Sequence, residues 1–223
     1  MIPIQPENES PTLQERPVLK SHRGLRRDIV ETILLVVVVY TLVNLSTARA
    51  VVIGPSMQPN FYTGQLVIIN RFAYFFSEPQ RGDVVVVHNP RQECRTSASD
   101  DPNCEDLIKR VIGLPGEYVQ IIKGRVYINS GPVAIQEPYI KDFCLGCDGS
   151  WILDSQHYFI LGDNRNNSWD SHAFGPILRD LIVGQAWIRY WPLQDQGVIP
   201  HPTYNVPAPT ASPAASFPVT PVP

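Results

Sequence analysis

The longest apolar segment of the chain lies near its N-terminus. It runs from Ile29 to Leu45 and contains the uninterrupted aliphatic stretch 33–39. A helix needs about 20 predominantly apolar residues to span a bilayer, and this segment reaches that length together with its flanks. The pattern therefore predicts a transmembrane helix over residues 29–47, with a buried core helix or strand as the alternative.

Beyond Val51 the apolar positions fall into short runs separated by Gly, Pro and Asn. Runs of this kind, rich in Val, Ile and Tyr, are typical of β-strands, and the clearest are residues 65–70, 83–88, 118–122 and 125–129. The dipeptide Lys123-Gly124 between the last two is typical of a tight hairpin. No long amphipathic helix pattern follows the span, so the sequence predicts a mostly β domain over residues 51–199.

The two ends of the chain differ in composition from the rest. Residues 1–28 are polar and proline-bearing and end in a basic flank, while residues 200–223 are rich in Pro, Ala, Ser and Thr. Segments of such composition bury too little apolar surface to offset the entropy lost on ordering. We therefore predict that both are disordered tails.

Charge indicates how the chain is oriented. Basic residues cluster between Lys20 and Arg27, before the apolar segment, and no comparable cluster follows it closely. The positive-inside rule then places the N-terminus in the cytoplasm and the β domain on the extracytoplasmic side, periplasmic or luminal.

The segment Ala48-Arg49-Ala50 leaves a cleavable signal peptide as an alternative. The formal charge of -3 predicts no nucleic-acid partner.

Four cysteines raise the question of metal or redox chemistry. Cys144-x-x-Cys147 lacks a histidine at zinc-finger spacing, and no βαβ pattern surrounds it as in thioredoxin-like proteins. If the domain is exported, local disulfides Cys94–Cys104 and Cys144–Cys147 are the simplest outcome. Other pairings remain open from the sequence. We predict no metal site and no cofactor.

Two segments carry candidate catalytic residues. Ser56 lies within Gly54-Pro55-Ser56-Met57-Gln58-Pro59, a constrained turn just after the predicted span. Lys109 lies in an apolar run, where strand alternation places it on one face with Leu107 and Val111. A lysine titrates near 10.4 in water, so it must lose roughly two pKa units to act as a base near pH 8. The neighbouring Arg110 cannot act as a base because guanidinium stays charged.

Two further segments are polar and lie beside apolar runs. Residues 162–175 form a dense polar run after the strand-like residues 158–161, and Arg81-Gly82-Asp83 precedes a run of valines. A loop of Asx-turns and a structural turn are the plain interpretations of these segments. The EF-hand spacing of a calcium loop is absent from residues 162–175.

The four segments in this order resemble the motif set of the bacterial type I signal peptidases. The resemblance covers the predicted transmembrane helix and residues 51–192. Its motifs are Ser56-Met57-x-Pro59, Arg81-Gly82-Asp83, and the segments 109–116 and 162–171. It implies a signal-peptidase-like β catalytic core with a smaller inserted β subdomain at about 117–157. It also implies an enzyme that cleaves signal peptides from exported pre-proteins after small residues at −1 and −3.

The resemblance also implies roles for single residues. Ser56 matches the nucleophile, and its backbone N–H is the expected oxyanion donor. Lys109 matches the general base, as in the Ser-Lys variant of the serine-protease triad. Ser168 matches the serine that holds the lysine amine in place. Met57 and Pro55 are expected to line the substrate pockets.

Two positions near Ser56 and Lys109 differ from the family pattern. Some relatives have a serine hydroxyl as a second oxyanion donor where this chain has Gly54. In many relatives the carboxylate at Asp170 pairs with an arginine, and this chain has His172 there, so we expect a pH-dependent pair. Ser171 and Arg165 fit the motif, and we expect structural roles for them.

Alternative functions and further partners follow from the same residues. The alternatives are a specialised or self-cleaving Ser/Lys peptidase, with cleavage after Ala50, or a non-catalytic membrane-anchored domain that binds peptides. The expected partners are pre-proteins, the lipid bilayer and the export translocon. An aromatic cluster is expected either to enter the interfacial layer of the membrane or to form a hydrophobic core strand or turn. It comprises Phe72, Tyr74, Phe75 and Phe76.

Overall fold

The computed structural model describes residues 22–90, 105–204 and 206, with side chains from Arg26 onward. Chain contacts divide it into two units, Met1–Val43 and Asn44–Pro223. Three predictions lie outside the described residues: the disorder of residues 1–21, the disorder of residues 207–223, and the Cys94–Cys104 disulfide.

The first unit is dominated by one helix, α1 (His22–Ser46). Its segment Arg26–Ser46 is long and apolar enough to cross a membrane, and none of that segment is buried within the protein. The predicted N-terminal apolar helix is confirmed. The alternative of a buried core helix is excluded by the exposure of its apolar side chains, which extend from Ile29 to Leu45.

The second unit is built from antiparallel strands. Their bounds are β1 (Thr47–Val51), β2 (Leu66–Asn70), β3 (Val84–His88), β4 (Asp106–Gly113), β5 (Tyr118–Ile122), β6 (Arg125–Ile128), β7 (Gly149–Ile152), β8 (His157–Leu161), β9 (Ile177–Leu178), β10 (Ile182–Trp191) and β11 (Gly197–Val198). One large sheet has the order β1-β2-β10-β3-β4-β8-β9, with β11 paired to β10. The mostly β prediction is confirmed.

A small second sheet is inserted between two neighbouring strands of the large one. The chain leaves the large sheet after β4, forms β6-β5-β7, and returns at β8, which pairs with β4. The predicted hairpin at Lys123-Gly124 connects β5 to β6. Both of its residues have positive φ, 51° and 72°, as type I′ turns require. This sheet lies within the segment expected to be an inserted subdomain.

Strand β4 is central to the large sheet, and its position explains how a lysine becomes buried. It pairs with β3 on one side and β8 on the other. Every residue of β3 is buried, and Val85 lies directly opposite Lys109. Lys109 therefore lies between two strands whose residues are mostly buried, and it is itself 3% exposed.

The chain just beyond Pro200 makes side-chain contacts with the β domain. His201 Nε2 lies 3.2 Å from Asp83 Oδ1, and the Tyr204 hydroxyl donates to that of Tyr139 at 2.8 Å. The rings of Tyr139 and Tyr204 also meet edge to face. Composition predicts disorder from residue 200 onward, and these contacts of His201 and Tyr204 lie at the start of that segment.

The aromatic cluster divides into exposed and buried members. Phe72, Phe75 and Phe76 are exposed, the last at 89%. Tyr74 instead packs against a core cluster, and its hydroxyl donates to Asp83 Oδ2 at 2.8 Å. Only three of the four aromatic residues are therefore available to a membrane surface.

Candidate active site

The turn that carries Ser56 is held in place by backbone geometry and a buried anchor. Gly54 adopts φ 87°, a left-handed conformation that favours glycine. The backbone N–H of Gln58 donates to Pro55 O at 3.1 Å and closes the turn. Met57 is 1% exposed and packs in a core cluster. The turn therefore presents Ser56 at the surface while Met57 anchors it from below.

Ser56 and Lys109 meet across the fold. Nζ of Lys109 lies 2.8 Å from Oγ of Ser56, although 53 positions separate them in the sequence. The lysine residue is 3% exposed. This is the nucleophile–base contact that serine chemistry needs.

Burial prepares Lys109 to act as a base. Desolvation disfavours its ammonium form and lowers the pKa of Lys109 to about 8. The carboxylates of Asp170 and Asp163 oppose this shift, since negative charge raises the pKa of a nearby amine. An appreciable fraction of the amine is therefore neutral in mildly alkaline water.

The polar loop after β8 packs directly against the nucleophile turn. The backbone N–H of Asn164 donates to Ser56 O at 3.0 Å, and its side-chain amide donates to Pro55 O at 3.1 Å. Gly162 lies so close that a Cβ there would be 2.5 Å from Ser56 O and 2.2 Å from Ser168 Oγ. Only glycine fits at this approach, and the polar run therefore supports the catalytic turn.

Ser168 is brought to the site but does not make the expected contact. Its Oγ lies beside Gly162, is buried, and has no hydrogen-bond partner among the described residues. The hydrogen bond to the Lys109 amine that the family resemblance implies is not formed in this structure. A buried hydroxyl without a partner is unusual and costs about 1–3 kcal/mol.

Asp170, Ser171 and His172 organise the short helix α2 (Ser171–Phe174). The Asp170 carboxylate accepts the Gly162 N–H at 2.8 Å and lies 2.7 Å from His172 Nδ1. This hydrogen bond raises the pKa of His172, since a carboxylate favours imidazolium. Ser171 Oγ accepts the Ile160 N–H at 3.0 Å, a structural contact. The expected Asp170–His172 pair is present.

Buried ion pairs around the site were missed from the sequence. Arg110 makes a two-pronged contact with Asp163, at 2.8 and 2.7 Å, and also donates to Gly82 O at 2.9 Å. Arg165 pairs with Glu137 in the inserted segment. The available signal was strand alternation, which turns Arg110 away from Lys109, but alternation does not identify a distant partner.

An apolar cavity of about 110 Å³ opens beside Ser56 and Lys109. The side chains that line it also include Ala50, Val51, Val52, Ile53, Val67, Val86, Asp106, Leu107 and Ile108. Met57 and Pro55, expected to line the substrate pockets, are not among the residues found to line it. Met57 instead packs in a core cluster, while Val52 and Ile53 are among the residues that line the cavity.

The backbone around Ser56 also contains a free donor. Within the described ranges no acceptor is found for the Ser56 N–H. Next to it, the Thr63 hydroxyl accepts the Gly54 N–H at 3.1 Å and contacts Gly54 O at 3.3 Å. A free N–H beside the nucleophile is the arrangement that stabilises an oxyanion.

Among residues with described placement, no cluster of three or more metal-binding side chains occurs.

Comparison with known proteins finds one family along most of the chain. Residues 26–191 match the family model "Signal peptidase, peptidase S26". The chain is 36% identical to signal peptidase I of Leptolyngbya laminosa, over 89% of this chain and 98% of that protein. It is 33% identical to a probable signal peptidase I of Synechocystis, over 86% and 83%. It is 34% identical to signal peptidase I of Bacillus caldolyticus, over 71% and 87%.

Proposed function

The chain belongs to the peptidase S26 family of signal peptidases, and from this membership we propose that Ser56 and Lys109 form its catalytic pair. The protein is a serine endopeptidase that cleaves signal peptides from pre-proteins. The observation that carries the assignment is the 2.8 Å contact between Lys109 Nζ and Ser56 Oγ. The pKa of about 8 for Lys109 supports it.

The proposed mechanism begins with neutral Lys109. Its amine takes the proton of Ser56 as Oγ attacks the scissile carbonyl, and the Ser56 N–H donates to the oxyanion. The Lys109 ammonium then gives its proton to the leaving amine, which departs with the mature protein. Water, activated by the regenerated amine, attacks the acyl group and releases the signal peptide.

Substrate selectivity follows from the apolar cavity. We propose that it holds the small residues at −1 and −3, because it begins at Ser56 and is lined mainly by aliphatic side chains. Its volume of about 110 Å³ suits small side chains such as alanine and disfavours large ones. Burying such side chains contributes binding free energy without requiring a particular sequence.

The membrane setting is part of the proposal. The apolar helix α1 would span the bilayer, with the basic flank in the cytoplasm and the β unit on the periplasmic or luminal side. Exposed Phe72, Phe75 and Phe76 suit contact with the interfacial layer. Pre-proteins emerge from the export translocon, so association with it is a further expectation.

Self-cleavage after Ala50 has less structural support. The segment Ala48–Ala50 lies within β1 and pairs with β2 along its length. Cleavage after Ala50 would require this segment to give up its pairing with β2 and reach Ser56 as a substrate.

The test uses a purified full-length enzyme in detergent and a pre-protein with alanine at −1 and −3. We expect cleavage at the predicted bond by wild type and by Ser77→Ala, a control at an exposed serine. Ser56→Ala and Lys109→Ala should each abolish turnover. Retained cleavage by Lys109→Ala would refute the assignment of Lys109 as the general base. Binding of the pre-protein without turnover by wild type would favour a non-catalytic peptide-binding domain.

A further inference from the structure

A second cavity adjoins the nucleophile turn and has a different character. It has a volume of about 250 Å³ and shares no lining residue with the apolar cavity. We call it the polar cavity; it is lined by Gln58, Pro59, Tyr62, Lys141, Asp142, Asp163, Asn164 and Arg165. Asn164 connects it to the site, because its backbone N–H donates to Ser56 O. The two cavities therefore both begin at the turn that carries Ser56.

Two of the charged groups in the polar cavity are already neutralised. Asp163 is 1% exposed, and both of its oxygens accept from Arg110. Arg165 is 4% exposed and pairs with Glu137. These groups shape the wall of the cavity but offer no free charge to a ligand.

Four other polar side chains of the cavity remain available. In the described part of the chain, no hydrogen bond or ion pair is found for the side chains of Gln58, Tyr62, Lys141 and Asp142. Tyr62 is half exposed, and Lys141 and Asp142 are both exposed. The cavity thus offers an amide, a hydroxyl, an ammonium and a carboxylate to a bound molecule.

We propose that the polar cavity binds the first residues of the mature protein, those that follow the scissile bond. This inference rests on the proposed function. Acylation keeps the signal peptide on Ser56, in the apolar cavity, and releases the other half of the substrate as an amine. An extended chain advances about 3.3 Å per residue, so the leaving half must pass out of the apolar cavity within a few residues.

The inserted segment provides the charged part of this site. Lys141 and Asp142 lie between β6 and β7. Nearby, the Leu145 N–H donates to Asn166 Oδ1 at 2.8 Å, and the Cys144–Cys147 disulfide closes the same turn. These contacts fasten the insertion to the polar loop. Lys141 therefore favours acidic residues just after the cleavage point, and Asp142 favours basic ones.

The experiment compares two pre-proteins that are identical up to −1 and carry either acidic or basic residues at +1 to +3. The readout is the ratio of their kcat/KM values, measured for full-length enzyme. Lys141→Glu should lower the acidic-to-basic ratio about fivefold, and Asp142→Lys should raise it about fivefold, as expected for one exposed ion pair. The control Lys123→Glu makes the same charge change at the hairpin, away from the cavity.

The ratio separates the possible outcomes. Because both substrates are compared within one variant, a partly folded preparation lowers both rates and leaves the ratio unchanged. Unchanged ratios in Lys141→Glu and Asp142→Lys, or an equal shift in Lys123→Glu, would overturn the proposal. Failure of the proposed function is different: wild type would then cleave neither pre-protein, or Ser56→Ala would cleave both.

Discussion

At the scale of single residues, Lys109 links proton transfer to burial. Its amine must be neutral to accept the Ser56 proton, and desolvation lowers the pKa of Lys109 to about 8. We predict that kcat/KM rises with pH through about 8 on its acidic limb. Rates measured from pH 6 to 10 on a peptide without titratable groups check this. A limb that stays near 10.5 would show that burial does not lower the pKa of Lys109, and a rate independent of pH over this range would show that Lys109 is not the base.

The same burial implies a stability cost. The pKa of Lys109 is lower in the folded protein than its ordinary 10.5, so the charged form opposes folding most strongly below pH 8, and the penalty declines as pH rises from 8 to 10.5. Lys109→Met should therefore raise the free energy of unfolding at pH 7 by up to about 3 kcal/mol and abolish activity. Urea unfolding of both proteins at pH 7 and pH 10 measures this. An equal difference at both pH values would contradict it.

At the scale of elements, helix α2 begins at Asp170, whose carboxylate caps the helix and pairs with His172. Asp170 raises the pKa of His172 above 6.5, so the pair stabilises the protein fully below that value and is lost as pH rises through the higher folded pKa. His172→Arg should keep the pair charged at every pH tested. We predict that the difference in Tm between this variant and wild type grows from pH 6 to pH 8. His172→Gln, which cannot be charged, is the matched control.

The C-terminal segment after β11 is a second element whose contribution can be measured. Tyr204 donates to the Tyr139 hydroxyl, and the Arg110 guanidinium lies 4.1 Å from the centre of the Tyr139 ring. Tyr204→Phe removes the donated hydrogen bond and should lower the free energy of unfolding by about 1 kcal/mol. Tyr204→Ala should lower it more, because the edge-to-face ring contact is lost as well. Denaturant unfolding checks both, and equal stability for all three proteins would show that the segment is not anchored.

At the scale of the whole molecule, the two units have separate tasks. The unit from Asn44 onward contains both cavities and the large sheet, while α1 contributes no residue to either cavity. We predict that a chain beginning at Thr47 in 0.1% detergent cleaves a short soluble peptide, while it loses most of its binding to lipid vesicles. Co-sedimentation and peptide cleavage test the two parts. Loss of peptide cleavage in a folded truncated chain would show that α1 supports the site.

Features with a local signature could be predicted from the sequence, and features made by distant residues could not. Alternation identified the buried face of Lys109, and continuous apolarity identified α1, because each is a property of neighbouring positions. The Arg110–Asp163 pair joins residues 53 positions apart, and no local pattern specifies such a partner. The proline-rich composition after Pro200 likewise gives no local sign of the contacts that His201 and Tyr204 make with distant residues.

The insertion between β4 and β8 has a consequence for how such enzymes diversify. Gly113 of β4 and Phe159 of β8 are paired after a register shift between Val111 and Gly113, so both ends of the insertion leave from neighbouring strands of one sheet. A segment anchored in this way can be lengthened, shortened or exchanged without altering the spacing of the strands beneath it. Exchanging the insertion between relatives would replace the residues that it contributes to the polar cavity, while Ser56 and Lys109 keep their positions. Under the proposed role of the polar cavity, such an exchange would change the preference for residues after the cleavage point and leave the catalytic pair unchanged.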